Sequence, residues 1–214
     1  MLPDPLTAIL LGALLGLRHA TDADHVVAVT AIVSRERSVA RAAGIGALWG
    51  VGHTLALLVV GGAMIAFRLV IPPRIGLALE FSVALMLILL GFANLRNPSD
   101  AANERPTARP FVVGLVHGLA GSAAVALLVL ATIRETLPAF SYLVIFGFGT
   151  VVGMVAVTSL LAIPTLVGGA RVARMQTGIR VAAGALSIAF GVLLAHQLIV
   201  DGGLFAAAPT WQPR

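Results

Sequence analysis

Six apolar stretches, separated by short polar connections, decide which solvent this chain can fold in. They run over residues 6–33, 42–67, 75–95, 110–133, 138–166 and 177–200. Each is long enough to cross the hydrocarbon layer of a bilayer, which takes about 20 residues of helix. The Arg, Pro, Asn and Asp residues between them read as loops. Hydrophobic residues make up 59% of the chain and charged residues 11%, more apolar surface than a soluble domain of 214 residues needs. The expected fold is an all-α integral membrane protein of six transmembrane helices, a single membrane domain over 1–214.

The charge pattern predicts orientation. The net charge is +5, and all 14 basic residues are arginine. In a soluble protein this balance points to nucleic acid. Here the arginines lie mainly between the apolar stretches, so they read as topology signals, and no nucleic-acid partner is expected. The first, third and fifth connections hold eight of them (Arg35, Arg37, Arg41, Arg96, Arg105, Arg109, Arg171, Arg174), against three in the second and fourth (Arg68, Arg74, Arg134). The positive-inside rule then puts the odd connections in the cytoplasm and both termini on the other side. The N-terminal MLPDP lacks the basic region of a signal peptide and reads as mature protein. A multi-pass protein of the bacterial cytoplasmic (inner) membrane is expected.

Within the first stretch stands RHATDADH, residues 18–25. A charged side chain at the centre of a membrane helix costs roughly 2.5–3.5 kcal/mol on insertion scales, so such groups mark function. Cysteine is absent, which removes thiolate sites and disulfides. Any metal would be held by nitrogen and oxygen donors, and His with Asp suit a divalent transition ion. His19, Asp22 and His25 are spaced by three and share one stripe of a regular helix, while Asp24 joins them only if the helix loosens. Residues 6–33 would rise about 42 Å as one helix against a core of ~30 Å. Either the start lies outside the core or the helix is interrupted; both readings stay open. Arg18 and Asp22, four apart, are also placed to neutralise each other. On the second stretch Ala43, Gly46, Gly50 and His53 keep helical spacing, so a close-packing face leads to a histidine. The candidate metal ligands are therefore His19, Asp22, Asp24, His25 and His53.

A weak internal repeat relates the halves, about 1–96 and 105–201. GLRHATDADHVVA (16–28) lines up with GLVHGLAGSAAVA (114–126), Gly46, Val51 and Gly52 recur as Gly147, Val152 and Gly153, and Ile88 and Gly91 as Ile188 and Gly191. With three spans per half, the second half enters from the opposite side, giving two inverted three-helix repeats. His117 then answers to His19 and Ser122 to Asp24. His117, Ser122 and Thr54 are secondary site candidates. The GxxxG pairs Gly114/Gly118 and Gly149/Gly153 read as helix packing alone. His196, near the end of the last stretch, reads as interfacial, as does Glu80, whose repeat counterpart Arg180 falls at the opposite membrane face. The motifs GxxxxGK[ST], HExxH and GxSxG are absent from the sequence, so no enzyme is expected.

The segment RHATDADH resembles the signature of the nickel/cobalt transporter family, a His, four residues, then Asp-His, standing here as His19, Asp24 and His25. Gly52-His53-Thr54 is similar to that family's Gly-His-Ser/Thr motif in the next helix. The resemblance covers about residues 12 to 62, and extends to the short members described as urease-accessory nickel permeases. It implies selective permeation of a divalent metal with the signature His and Asp essential. Better-known uptake members look like eight-span proteins, and exporting relatives often carry a His-rich loop that this chain lacks. The leading expectation is a secondary permease bringing Ni²⁺ or Co²⁺ into the cytoplasm as transported ion, with no permanently bound cofactor. A doubly charged ion gains about 4.6 kcal/mol per 100 mV of inside-negative potential. Efflux of the same ions is the alternative, followed by a metal-dependent membrane enzyme or a non-transporting membrane subunit.

Overall fold

The computed structural model describes residues 5–34, 36, 38–69, 71–96, 108–119, 133, 135–167 and 169–211. Among the described residues the regular structure is helical: α1 (Pro5–His19), α2 (Ala23–Val33), α3 (Val39–Phe67), α4 (Pro73–Leu95), α5 (Arg109–Leu119), α6 (Thr136–Val167) and α7 (Gly169–Val200). Helices satisfy every interior backbone group within their own segment, the condition a bilayer imposes. Four are long and apolar enough to cross a membrane, over Val39–Phe67, Pro73–Leu95, Thr136–Ile163 and Thr177–Val200. They match the second, third, fifth and sixth expected stretches, and the chain is an integral membrane protein. The first stretch is divided between two shorter apolar helices, α1 and α2. Of the fourth, α5 is described; the remainder, with Ser122, lies outside the described residues.

The interruption of the first stretch has a local cause. In a continuing helix the Arg18 carbonyl would accept from the Asp22 N–H. Instead it accepts from the Thr21 N–H at 2.8 Å and from the Thr21 hydroxyl at 2.6 Å. The Asp22 N–H turns back to His19 O at 3.1 Å, and Asp22 takes an extended conformation at the N-cap of α2. A threonine hydroxyl competing for a backbone carbonyl is a known way to end a helix.

Backbones approach closely where side chains are missing. α1 packs on α6, α5 on α3, α3 on α6, and α4 on α7. A methyl group on Gly16 would collide with the Phe146 carbonyl, and one on Gly114 with the Trp49 carbonyl. Gly91 faces Ile188, and Gly191 faces Ile88. Polar side chains tie helices together across these seams. The Thr54 hydroxyl donates to Gly147 O at 3.1 Å, Ser187 to Leu87 O at 2.7 Å, and Asn94 Nδ2 to Arg180 O at 3.1 Å.

After α7 the chain folds back over the start of α4. Leu204 packs with Leu77 and Leu198, Arg74 donates to the Ala206 carbonyl at 2.8 Å, and Trp211 Nε1 donates to Glu80 Oε1 at 2.8 Å. Glu80, read as interfacial from the sequence, is therefore buried beneath this tail rather than exposed. Arg180 reaches the Arg96 carbonyl, at the other end of α4.

Candidate metal centre

Four histidine rings meet where the first stretch breaks. His19 ends α1, His25 opens α2, His53 comes from the middle of α3 and His117 from α5, and all four are buried. Ring centroids lie 4.5 Å apart for His19–His25, 5.2 Å for His25–His53, 5.1 Å for His19–His53 and 4.1 Å for His25–His117. The helix ends bring them together. With α1 stopping at His19 and α2 starting at Ala23 after a three-residue break, both termini bring their histidines against His53 of α3. Gly118 lets α5 approach α3 directly at the backbone of His53, where a methyl group would strike the His53 carbonyl. Gly118 thus serves helix packing as expected, at the backbone of a cluster residue. Trp49 stacks beside His25 and tilts against His117, and Phe146 closes the side of His19.

The carboxylates set the ring tautomers. An ionised carboxylate only accepts hydrogen bonds, so any ring nitrogen bonded to one carries the proton. His19 Nδ1 donates to Asp22 Oδ2 at 2.8 Å. His25 Nδ1 donates to Asp24 Oδ1 at 3.0 Å, and His117 Nε2 to Asp24 Oδ2 at 2.9 Å. The His25 backbone N–H also donates to Asp24 Oδ1, at 2.9 Å. With Nδ1 protonated, neutral His19 has its lone pair on Nε2, which accepts from His53 Nε2 at 3.1 Å. The remaining ring nitrogens are His25 Nε2, His53 Nδ1 and His117 Nδ1, all buried and without a hydrogen-bond partner. On this assignment all three carry lone pairs rather than protons. A buried lone pair with no donor is costly to maintain and chemically suited to a metal. A carboxylate behind an imidazole is also the arrangement that orients metal-ligating histidines.

Two sets of three donors come within metal-binding range, His19 with His25 and His53, and Asp24 with His25 and His117. In each, one ligand atom per residue lies within 4.8 Å of the others. Imidazole nitrogens sit about 2.0–2.1 Å from a zinc-like divalent ion, so two of them at a right angle lie about 3 Å apart. The 3.1 Å between His19 Nε2 and His53 Nε2 has that separation.

The candidates distribute as follows. His19, Asp24, His25 and His53 converge. His117, a secondary candidate from the repeat, is a full member of the cluster. Asp22 stands behind His19 with its side chain 41% exposed, against 17% for Asp24. Its expected partner was Arg18, but the i, i+4 pairing assumes an unbroken helix, and the break turns Asp22 to His19 instead; among the described residues no ion pair joins it to Arg18. Thr54 spends its hydroxyl on α6. His196 is exposed on α7, outside the cluster.

These features define a class: a helical membrane protein with a buried imidazole–carboxylate cluster at a helix break. The chain is similar to the urease accessory protein UreH of Bacillus sp. (strain TB-90), at 33% identity over 220 residues, 94% of this chain and 96% of that protein. Across nearly the whole of both chains, that likeness shows the family, and the chain belongs with UreH among the short, urease-accessory members of the nickel/cobalt transporter family. No family model matches the chain, and no solved structure matches it significantly.

Proposed function

We propose that this protein is a secondary permease that carries a divalent transition-metal ion, Ni²⁺ or Co²⁺, into the cytoplasm, binding it at the cluster of His19, Asp24, His25 and His53. The observation that carries the reading is the set of unpartnered lone pairs on buried rings backed by carboxylates. A structural histidine finds a partner for both ring nitrogens, whereas His25, His53 and His117 each keep one without, on residues that belong to donor sets of metal-binding size. The UreH relative supports nickel as the cargo through the urease in its name. Uptake follows the inside-negative potential and needs no nucleotide motif.

The reading includes an inverted repeat of two three-span halves, one membrane domain over 1–214, with both termini outside the cytoplasm. Reciprocal packing supports the repeat. The first helix of each half lies on the second helix of the other, α1 on α6 and α5 on α3. Gly91 against Ile188 has its mirror in Gly191 against Ile88. A reporter fused to the C-terminus should be active only outside the cytoplasm; activity inside would reverse the orientation.

Cells expressing the protein should accumulate radioactive nickel at low external concentration, with cobalt competing well and zinc less. Accumulation equal to that of cells lacking the protein would defeat the permease reading. Vesicles of known orientation test direction, and loss of nickel from preloaded cells would favour export.

A further inference from the structure

We propose that the cluster is two mutually exclusive stations for one ion, sharing His25, and that the Asp24–His117 hydrogen bond is the closed form of the second. The proposal rests on the permease reading and deepens it. The first station is His19, His25 and His53; the second is Asp24, His25 and His117.

The two sets differ in readiness. At the first, His19 Nε2 and His25 Nε2 carry lone pairs inside the cluster, and the one hydrogen bond to give up is His53 to His19. At the second, both Asp24 oxygens are occupied, Oδ1 by the His25 ring and backbone N–H and Oδ2 by the His117 ring. An ion entering it competes with these N–H groups for the carboxylate. His25 belongs to both sets, so occupying one removes a donor from the other.

The stations also lie on different elements. The first joins the helix break to α3, and the second joins it to α5. His53 and His117, their unshared members, have ring centroids 6.1 Å apart. Passage of the ion from one to the other moves its ligands from α3 to α5 while His25 and the start of α2 stay in contact with it. The donor set changes from three imidazoles to two imidazoles and a carboxylate. Oxygen for nitrogen is a weaker match to nickel or cobalt, so the second station releases the ion more readily than the first.

The test is nickel binding to the purified full-length protein in detergent, by calorimetry and X-ray absorption, beside uptake in cells. The wild type should bind one nickel ion with three imidazoles. His117→Gln should keep that stoichiometry, spectrum and affinity, the last within about threefold, yet lose at least tenfold in uptake. His53→Gln should bind at least tenfold more weakly, with two imidazoles and a carboxylate oxygen in the spectrum. His25→Gln should bind no nickel at either station. Two ions on the wild type at saturation would overturn exclusivity. Equal weakening of binding in His117→Gln and His53→Gln would mean one composite site, and wild-type uptake in His117→Gln would remove the second station from the path. His117→Asn, which keeps a short amide at the α5 position, repeats the comparison where the glutamine variant fails to insert. A wild type that binds no nickel at all would instead sink the permease reading beneath both stations.

Discussion

The helices around the break and the α4–α7 pair use the same packing device for opposite ends. In both, glycines let backbones touch, Gly118 against His53 on one side and Gly91 and Gly191 against Ile188 and Ile88 on the other. Around the break, the closeness concentrates four imidazoles and a carboxylate, with ring nitrogens lacking partners. Along α4–α7, the polar side chains end on backbone carbonyls, Ser187 on Leu87 and Asn94 on Arg180. Close packing thus runs through both regions, whereas among the described residues the unpartnered ring nitrogens of histidine lie around the break. A polar residue inside a membrane protein is diagnostic when its hydrogen-bonding capacity is left over, not merely when it is present.

Substitutions sharpen that contrast. His25→Gln should have the largest effect, taking nickel uptake to background, because it removes the ring both donor sets share; uptake near wild type, with membrane abundance matched by immunoblot, would break the contrast outright. Next comes Asp24→Asn. An amide accepts at one edge and donates at the other, so it cannot receive both the His25 and His117 rings. Uptake should fall about 10- to 100-fold, the cost typical of losing a group that orients a metal ligand. Gly118→Val should act through packing. The branched side chain meets the His53 carbonyl, and overpacking of this kind costs about 1–3 kcal/mol. A lowered thermal midpoint in detergent, together with reduced uptake, is the expected pair of results; an unchanged midpoint would show that α5 has room to move. The smallest effects belong to the other region. Ser187→Ala gives up one hydrogen bond between membrane helices, worth about 0.6 kcal/mol, and His196→Gln alters an exposed ring. Both should transport within about twofold of the parent. Loss of uptake in His196→Gln but not in His25→Gln would move the site to the other half of the molecule.

The residues that converge were more legible in the amino-acid sequence than the path of the backbone that brings them together. His19, Asp24 and His25 stood out because charge in an apolar stretch is expensive, and His53 because small residues at helical spacing led to it. His117 was visible only through its alignment with His19, since a single histidine in an apolar helix has an ordinary packing role. The break at residues 20–22 could not be decided in advance: Thr21 is compatible with a helix until its hydroxyl takes the Arg18 carbonyl, and no residue-level rule says when it will. The contact of Asp22 with His19 rather than Arg18 has the same cause, because spacing predicts neighbours only on an intact helix. The burial of Glu80 was not legible because its covering residue, Trp211, is 131 positions away in the chain.

On the proposed function, the engagement of Asp24 also bears on which cations the cluster would refuse. Magnesium and calcium are the abundant divalent ions of most surroundings, and both require oxygen ligands. Both Asp24 oxygens are already bound by the His25 and His117 rings and by a backbone N–H. A hard cation arriving at the cluster would therefore meet nitrogen lone pairs and an Asp24 carboxylate already engaged by N–H donors, so its dehydration would be poorly offset. An ion that prefers imidazole loses nothing by the arrangement. On this reading, selectivity against the common metals would come in part from the engagement of Asp24, and the aspartate that advertises a cation site in the sequence would act in the folded protein as part of the filter.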